Sequence, residues 1–296
     1  MKYISVSEAA RNWGISERSV RNYCAEGRVE GAVLVGKTWT IPESAKKPQR
    51  KSREINRADL LQVLKNEKKV KLSGGIYHKV QIELTYNSNH IEGSRLTHDQ
   101  TRYIYETNSI ANVNDRLSVD DIFEASNHFR CIDLIIDKAS SRLTEGMIKQ
   151  LHLLLKSGTS DSRLEWFAVG EYKKLPNEVG GRDTVPPEKV EAEMEKLLSW
   201  YEGLEEKRFR DLLEFHYRFE CIHPFQDGNG RVGRLILFKE CLRHGFVPFV
   251  IDEQLKAFYY RGLAEWHKEE GYLTDTCLSA QDKFKEWLDY FRIDYQ

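Results

Sequence analysis

The chain has 296 residues, of which 40% are hydrophobic and 31% are charged, and its formal net charge at pH 7 is −1. This balance is typical of a globular protein with one large or two unequal domains, and it excludes a protein that coats nucleic acid or anionic membrane along its whole length. The charge is nevertheless uneven. Residues 1–56 contain eleven Lys and Arg against six Asp and Glu, so they carry +5 and the rest of the chain carries −6. A basic N-terminal unit before an acidic body is typical of an appended nucleic-acid-binding module.

The cysteines and the N-terminus both indicate a cytoplasmic protein. The chain has five cysteines, and none of them forms a C-x-x-C pair. Reduced thiols are therefore expected in place of a disulfide framework or a zinc site. The N-terminal sequence contains no apolar segment of the kind found in signal peptides, and no run of about 18 apolar residues occurs in the chain. We therefore expect a cytoplasmic protein that makes no contact with a membrane.

The first elements in chain order are two short helices and a pair of strands within residues 1–45. Ser7 is placed to cap the first helix, Gly14 to end it and Ser16 to cap the second. Residues 33–41 predict two strands around a Gly-Lys turn. This order is similar to that of the winged helix-turn-helix domains of the excisionase and MerR type.

The resemblance implies that the second helix and the turn of the wing contact DNA. Arg, Asn and Lys side chains in these places suit base edges and phosphates. The residues concerned are Arg18, Ser19, Arg21, Asn22 and Lys37. The alternative is a small docking domain with a solvated basic face. Residues 46–56 are polar, basic and contain a proline, which predicts a linker to the second domain.

From residue 57 onward, apolar residues recur at spacings of three and four, which predicts a helical domain over residues 57–296. The predicted helices are 58–71, 77–91, 119–138, 144–155, 187–204, 209–221, 229–244, 254–269 and 279–291. Residues 170–187 interrupt this pattern with Val179-Gly180-Gly181, which indicates a hairpin that stands off the helical body. The predicted fold class is therefore mainly α: an all-α domain with a β-hairpin flap, preceded by a small winged helix-turn-helix domain.

The segment 223–234, with the sequence HPFQDGNGRVGR, joins two of the predicted helices. Pro224 cannot lie within a helix, and Gly228 and Gly230 permit positive φ, so the segment is predicted to form a tight turn. The amides of Gly228, Asn229 and Gly230 would stand at the N-terminus of the next helix. Together with the helix dipole, they make an anion site suited to phosphates.

Four side chains of the same segment suit phosphoryl or nucleotidyl transfer. Arg231 and Arg234 are three residues apart, so both lie near one face of the helix and can reach one polyphosphate. Asp227 offers a hard oxygen ligand for Mg²⁺. His223 is the nearby side chain that can accept a hydroxyl proton near neutral pH.

Other interpretations of the segment fit the sequence less well. Residues 228–233 match the dinucleotide-binding pattern G-x-G-x-x-G, but the chain lacks the alternating strands and helices of a Rossmann fold. A calcium-binding loop beginning at Asp227 would require a bidentate Glu at its twelfth position, where Phe238 stands. An ordinary capped turn would give His223 and the two arginines no role.

The same segment reproduces the signature of the Fic family, His-Pro-Phe-x-Asp-Gly-Asn-Gly-Arg-x-x-Arg, and the helical order of residues 57–296 is similar to that of the family. Fic proteins typically transfer AMP from ATP to a Ser, Thr or Tyr hydroxyl of a protein. The resemblance implies ATP and Mg²⁺ as cofactors, His223 as general base and Asp227 as the Mg²⁺ ligand. It also implies that the amides of the turn hold the α- and β-phosphates and that the two arginines hold the distal phosphates. The related Doc kinases have Lys at the position of Gly230, which disfavours phosphorylation here.

A second segment, from Ser88 to Gly93, matches the (Ser/Thr)-x-x-x-Glu-(Gly/Asn) motif of the inhibitory helix of the family. The resemblance implies that Glu92 pairs with Arg234 in the same chain and prevents the γ-phosphate of ATP from binding productively. The physical basis is that a carboxylate bound to a guanidinium competes with an anionic phosphate. Without the resemblance, a Glu-Gly pair at the end of a helix is an ordinary C-cap.

Two further regions are similar to the substrate site of the family. The hairpin residues Val179, Gly180 and Gly181 resemble the flap that binds a target segment by strand addition and borders the nucleotide, with an ordinary surface hairpin as the alternative. Tyr259 and Tyr260 stand where the family often has aromatic side chains against the adenosine. Aromatic residues at helical spacing also suit a core, so both interpretations stay open.

The sequence therefore predicts an autoinhibited protein adenylyltransferase with a DNA-binding unit in residues 1–45. Its candidate partners are ATP, a protein substrate that includes the chain itself, DNA and a second copy of the chain. An enzyme that removes AMP from a modified protein, with Glu92 positioning a water molecule, would use the same residues. The alternative outside the enzymes is a DNA-binding regulator whose helical domain only senses nucleotide, which would have no use for a base at His223.

Overall fold

The structure of the chain, a computed structural model, describes residues 2–25, 27–36, 38–48, 59–110 and 116–295. The chain divides into two units, Met1–Asn56 and Arg57–Gln296, and each is described by itself. The predicted linker lies outside the described residues from position 49 onward. No helix among the described residues is long and apolar enough to cross a membrane.

The N-terminal unit combines two helices with a small antiparallel sheet. The helices are α1 (Val6–Trp13) and α2 (Glu17–Ala25), and the strands are β1 (Tyr3–Ser5), β2 (Val33–Val35) and β3 (Thr38–Pro42). The sheet has the order β1-β3-β2, so the two predicted strands pair with each other and an unpredicted strand joins them. A core of its own holds the unit together, formed by Val6, Ala9, Ala10, Val20, Cys24, Val29 and Ile41.

The cap of α1 is Ser5, and the prediction of Ser7 was wrong. Ser5 Oγ accepts a hydrogen bond from Glu8 N at 3.2 Å, and Glu8 Oε2 accepts one from Ser5 N at 2.9 Å. These reciprocal bonds form a capping box, which the Ser-x-x-Glu spacing from Ser5 specifies. Gly14 ends the helix with φ of 65°, a left-handed conformation that favours glycine.

The outer face of α2 carries Arg21 and Asn22, which are both exposed. Arg21 Nη2 donates to Glu17 Oε2 at 2.6 Å, one turn away on the same helix. This pair partly neutralises the charge of Arg21. Two other predicted DNA contacts, Lys37 and the side chain of Arg18, lie outside the described residues.

Ten α-helices form the second unit within residues 59–110 and 116–295. They are α3 (Leu60–Val70), α4 (Ile76–Ile91), α5 (His98–Thr107), α6 (Val119–Asp137), α7 (Glu145–Lys156), α8 (Pro187–Gly203), α9 (Phe209–Ile222), α10 (Asn229–His244), α11 (Glu253–Glu265) and α12 (Gly271–Phe291). All nine helices predicted for this part of the chain are present, and the fold is mainly α as expected.

One helix was missed and one boundary was wrong. Helix α12 begins at Gly271 rather than at residue 279. Helix α5 was not predicted, because only Thr101 and Ile104 of its residues are buried and the apolar period is short. Its start nevertheless carries a capping box, in which Thr97 Oγ1 accepts from Gln100 N at 3.1 Å. The Thr-x-x-Gln spacing was the signal available in the sequence.

Helix α10 lies at the centre of this unit and packs against α4, α6, α7 and α9. Thirteen of its 16 residues are buried, as expected of a helix that is surrounded by other helices. Its apolar side chains belong to one core that extends through all the neighbouring helices. Because the 223–234 turn leads directly into α10, this core determines where the turn stands.

The hairpin predicted within residues 170–187 consists of two short strands, β4 (Glu178–Val179) and β5 (Arg182–Asp183). Gly180 and Gly181 connect them with φ of 56° and 74°. Positive φ at both central residues is the geometry of a type I′ turn, which glycine adopts without strain. We call this hairpin the flap.

Helix α11 approaches the backbone of α12 so closely at Gly262 that no side chain fits there. A Cβ at this position would lie 2.6 Å from Leu273 Cα. We therefore expect Gly262→Ala to lower the free energy of unfolding by about 1–3 kcal/mol, measured by urea unfolding. Gly146→Ala in α7 is the control, because a Cβ there meets nothing within 4 Å and Ala favours a helix over Gly. Equal effects of the two substitutions would contradict the close approach.

Candidate active site

The predicted turn forms between α9 and α10. Helix α9 ends at Ile222, and His223 is its C-cap, with a left-handed conformation of φ 51° and a backbone N–H that donates to Phe219 O at 2.9 Å. Gly228, with φ of 81°, precedes α10. Within the turn, the side chain of Asn229 binds the Phe225 backbone twice: Oδ1 accepts from N and Nδ2 donates to O, both at 2.8 Å. The side chain of Asn229 therefore stabilises the turn, so Asn229 could bind an anion only through its backbone N–H.

Phe225 anchors the turn in the core. It is fully buried, and its ring stacks on His152 with the centroids 4.0 Å apart. His152 Nδ1 accepts a hydrogen bond from Gly170 N at 2.9 Å, so Nε2 carries the proton and donates it to Asp227 O at 3.1 Å. Burial, together with the charge of Lys156, lowers the pKa of His152 to about 3 and keeps this bridge neutral. Sequence analysis did not identify His152, because its helical position suits an ordinary core residue.

A pocket of about 560 Å³ opens beside the turn. The predicted site residues that line it are Glu92, Val179, Gly180, His223, Gly230, Arg234, Tyr259 and Tyr260. Residues of the lining that were not predicted are Arg182, Asp183, Tyr217, Glu220, Cys221, Leu263 and Ala264. Among the described residues, the predicted ones that lie outside this lining are Ser88, Gly93, Gly181, Asp227, Gly228, Asn229 and Arg231. The pocket thus joins the end of α9, the start of α10, the end of α4, the flap and α11.

Arg234 is held at one side of the pocket by the end of α4. Its Nη2 donates to Glu92 Oε1 at 2.6 Å and to Ser88 O at 2.9 Å, and its Nε donates to Ser88 Oγ at 3.0 Å. Burial alone would lower the pKa of Arg234, but the Glu92 carboxylate reverses this effect and raises it. The guanidinium is therefore a permanent positive charge, and a carboxylate of the same chain occupies it.

The Glu92 carboxylate also lies against the first turn of α10. A Cβ at Gly230 would collide with Glu92 Oε1, so the absence of a side chain at residue 230 admits the carboxylate. Glu92 is the C-cap of α4, and Gly93 follows with φ of 96° as the chain turns away. The carboxylate thus stands at the positive end of the α10 dipole as well as on Arg234.

Asp227 lies on the other side of the turn, in contact with two buried cations. Its Oδ2 accepts from Lys156 Nζ at 2.7 Å and from Arg231 Nη2 at 3.1 Å. Burial alone would raise the pKa of Asp227, but Arg231 and Lys156 hold it well below the usual range of a carboxyl group. The group is therefore ionised at neutral pH, and about half of its side chain is exposed.

Lys156 and Glu124 extend this network into the core. Besides Asp227, the buried Lys156 Nζ binds Glu124 Oε1 at 2.6 Å and Asp161 Oδ2 at 3.1 Å. Glu124 in turn accepts a hydrogen bond from Arg231 Nη1. Sequence analysis identified neither residue, because a lysine at the end of a helix is usually solvated and no local spacing marks its distant partners.

The Arg231 side chain binds within this network and does not line the pocket. Its guanidinium binds Glu124 and Asp227, and its Nη1 also contacts Asn89 Oδ1 at 3.4 Å. The resemblance implied that Arg231 and Arg234 both hold the distal phosphates. Their side chains leave α10 about 60° apart, and in this structure that angle directs them to different partners.

His223 faces the pocket from the end of α9. Burial lowers its pKa, and the positive charge of Lys173 acts in the same direction. A backbone hydrogen bond to Glu220 and the carboxylates of Glu92 and Asp227 oppose this effect without reversing it. The imidazole is therefore neutral at pH 7 and able to accept a proton.

The two predicted tyrosines have different surroundings. Tyr259 is buried, and its hydroxyl lies 2.7 Å from His216 Nε2. Tyr260 is 42% exposed, and its ring centroid lies 5.5 Å from that of Tyr259. Tyr260 thus offers ring surface to a ligand, whereas Tyr259 supports it from the core.

Glu220 is a second carboxyl group in the pocket that sequence analysis did not identify. It lies on α9, one turn before His223. Burial raises its pKa to about 8, an effect that Arg234 opposes and Glu92 reinforces. The group is therefore largely uncharged at neutral pH, and Glu92 is the carboxylate that neutralises Arg234.

The fold and the turn correspond to a known family. Residues 142–240 match the sequence model of the Fic/DOC family. This range contains α7, the flap, α8, α9, the turn and most of α10. The segment that contains the turn is therefore similar in sequence to proteins of the Fic/DOC family.

Curated proteins that resemble this chain carry the name Protein adenylyltransferase Fic. The protein of that name from Drosophila mojavensis is 27% identical over 186 residues, which are 60% of this chain and 35% of the relative. The one from Nematostella vectensis is 28% identical over 182 residues, which are 60% of this chain and 41% of the relative. The chain thus spans less than half the length of the curated relatives that it matches.

A solved structure supports the same fold over a longer stretch. The crystal structure of a Fic domain containing signaling protein from Bacteroides thetaiotaomicron is 27% identical in sequence, with a TM-score of 0.58. The similarity covers 78% of this chain and 90% of that chain. It therefore extends the Fic fold beyond the matched range to most of the helical unit.

The contact between Glu92 and Gly230 can be tested by a double-mutant cycle. In the wild-type chain, Gly230→Ala places a Cβ where Glu92 Oε1 stands, so it should destabilise the fold. In a Glu92→Gly background the same substitution should cost less, because the close contact that remains is with Arg234 Nη1 at 3.0 Å, and Ala favours a helix over Gly. We expect a coupling free energy of about 1 kcal/mol, measured by urea unfolding of the four variants. Additive effects would mean that the carboxylate does not rest against residue 230.

Proposed function

We propose that the chain is a protein adenylyltransferase that transfers AMP from ATP to a Ser, Thr or Tyr hydroxyl of a protein and is restrained by its own Glu92. The observation that carries the proposal is the pocket, where a neutral imidazole, the start of a buried helix and a buried arginine face one space. These groups suit a hydroxyl proton, phosphate oxygens and a distal phosphate, in that order. The names of the curated relatives support the same reaction.

In the proposed reaction, His223 accepts the proton of the target hydroxyl, and the hydroxyl oxygen attacks the α-phosphorus of ATP. The bond between that phosphorus and the oxygen that bridges to the β-phosphate breaks. The products are the AMP-modified protein and pyrophosphate. The amides of Gly228, Asn229 and Gly230 would hold the α- and β-phosphates, and Arg234 would hold the γ-phosphate.

Asp227 is the residue that fits a Mg²⁺ ion. Among the described residues, no cluster of three or more His, Cys, Asp or Glu side chains could hold a metal ion. Mg²⁺ does not need such a cluster, because it commonly binds one or two carboxylates and takes its other ligands from phosphates and water. Lys156 and Arg231 both bind Asp227 Oδ2, and they keep the carboxylate ionised and fixed. Bound Mg²⁺ would neutralise charge on the phosphates.

The proposed restraint is competition for Arg234. The γ-phosphate of ATP and the Glu92 carboxylate are both anions that need the same guanidinium, and Glu92 already binds it at 2.6 Å. The carboxylate also stands at the α10 N-terminus, where it would repel the phosphate chain. ATP would therefore seat productively only when Glu92 rotates away.

We propose that the flap and Tyr260 hold the two substrates. The flap is a two-stranded hairpin whose Val179 and Gly180 border the pocket, so a target segment could extend it by strand addition. Gly181 completes its tight turn. Tyr260 offers its exposed ring to the adenosine, and Tyr259 supports that ring from the core.

The proposal is tested by incorporation of α-labelled and γ-labelled ATP into protein in the presence of Mg²⁺, with the chain alone and with cell lysate as a source of targets. We expect label from the α-phosphate only, more in Glu92→Gly than in the wild type, because Arg234 is then free. Adding His223→Ala should lower the rate by about 100-fold or more, since the base is lost. Glu92→Gln, which keeps the shape but not the charge, separates competition for Arg234 from simple obstruction.

Other outcomes of this experiment would contradict the proposal. Label from the γ-phosphate would make the chain a kinase. Glu92→Gly without any gain over the wild type would contradict the restraint. No label in any variant would contradict AMP transfer and favour AMP removal, which release of AMP from a modified protein would then detect.

We further propose that residues 1–45 bind DNA. The order of helix, turn, helix and wing supports this proposal, as do the exposed Arg21 and Asn22 on α2. We expect Glu17→Gln to strengthen binding by releasing Arg21, and Arg21→Ala to weaken it and reduce its salt dependence. Electrophoretic mobility shifts of genomic fragments at several salt concentrations would measure both effects. Absence of binding at low salt would favour a docking domain.

A further inference from the structure

Lys173 is a buried lysine whose ammonium group lies within ion-pair distance of no carboxylate among the described residues. It is 3% exposed and precedes the flap. Its Nζ donates to Asn177 Oδ1 at 2.7 Å, to Thr184 Oγ1 at 2.5 Å and to Ile222 O at 3.4 Å. Three donors thus meet three neutral acceptors. A cation buried without an opposite charge is costly, so its place in the fold needs a reason.

Two of these acceptors are the ends of the flap. Asn177 directly precedes β4 and Thr184 directly follows β5. The two residues also bind each other, since Thr184 Oγ1 donates to Asn177 O at 2.9 Å. Asn177 Nδ2 donates in turn to Phe225 O at 2.9 Å. The ammonium group therefore closes the base of the hairpin and connects it to the active-site turn.

The third acceptor belongs to the backbone beside His223, the proposed general base. Ile222 directly precedes His223, and its carbonyl accepts from Lys173 Nζ. Pro224 directly follows His223, and its carbonyl accepts from the backbone N–H of Lys173 at 2.8 Å. Lys173 thus binds the backbone on both sides of His223. The left-handed conformation of His223 costs free energy in a residue other than glycine, and it persists only where the surrounding structure holds it.

The charge of Lys173 also acts on the imidazole. Lys173 shifts the pKa of His223 downward, as burial does, whereas the carboxylates of Glu92 and Asp227 shift it upward. Burial lowers the pKa of Lys173 itself to about 8. The positive charge is therefore present at pH 7 and is lost as the pH rises above 8.

We infer that Lys173 is a positioning residue that holds the flap and the backbone around His223 in one arrangement. This goes beyond the proposed function and rests on it only for the effect on rate. The matched control is Lys174, which is the next residue and is exposed. Lys173→Met removes the charge at similar length, and Lys173→Arg keeps it.

The first test uses the full chain and needs no activity. Titration of the His223 ring by NMR, assigned with His223→Ala, should give a higher pKa in Lys173→Met than in Lys174→Met, because the positive charge is lost. Hydrogen exchange of the amides of residues 178–183, 223, 225 and 226 should be faster in Lys173→Met only. Unchanged titration and unchanged exchange would overturn the inference. If Lys173→Met does not fold, Lys173→Arg should keep the His223 titration, and a shift in that variant would overturn it equally.

The second test measures AMP transfer against pH in the Glu92→Gly background. Lys173→Met should lower the rate at pH 7 by roughly tenfold, because His223 and the flap are no longer held in position. The acid limb of its pH–rate profile should move to higher pH. In the parent variant, Glu92→Gly with Lys173 intact, the rate should change again near pH 8 as Lys173 loses its proton. Lys173→Arg should lack that change. Profiles identical to that of Lys174→Met would overturn the inference. A parent that transfers no AMP would refute the proposed function, while titration and exchange would still decide the role of Lys173.

Discussion

The buried start of α10 is the constraint on which the rest of the site depends. A helix N-terminus leaves amides without partners and carries the positive end of a dipole, and here the helix that follows is largely buried. The turn solves part of this problem: Phe225 fills the core beneath it, Gly228 redirects the chain, and the Asn229 side chain binds the Phe225 backbone. The carboxylate of Glu92 lies against the first turn of the helix from the end of α4, as an anion would at the positive end of the dipole.

The cations around this helix start are already paired with carboxylates of the same chain, so a polyphosphate ligand would have to displace one of these carboxylates. Three buried cations, Lys156, Arg231 and Arg234, meet carboxylates from several parts of the fold. Glu124 is 11% exposed and is held by two of the cations, whereas Glu92 is 28% exposed and, among the described residues, forms an ion pair with Arg234 only. Moving the Glu92 carboxylate into solvent therefore costs less free energy than moving that of Glu124. This difference is the physical reason why the proposed restraint acts through Glu92.

Local spacing in the sequence predicted the features that depend on local geometry. The periodicity predicted nine of the ten helices, and the residues of the 223–234 segment predicted the turn before α10. The groups that were missed act through contacts between distant segments: Lys156 reaches Asp227, Lys173 reaches the carbonyl of Ile222, and His152 stacks on Phe225. No periodicity marks such partners, because each of these residues has an ordinary place on its own segment. Tertiary contact also separated Arg231 from Arg234, which the spacing alone placed together.

The two hydrogen bonds between Arg234 and Ser88 do not involve Glu92, so they would persist after Glu92 leaves. The guanidinium would then remain aimed into the pocket, and the restrained and open sites would differ by one side-chain rotation at the end of α4. Such a rotation would be a local change that breaks one ion pair and requires no movement of a domain. A trigger would act by changing the fraction of time that Glu92 spends away from Arg234, without speeding any slow step.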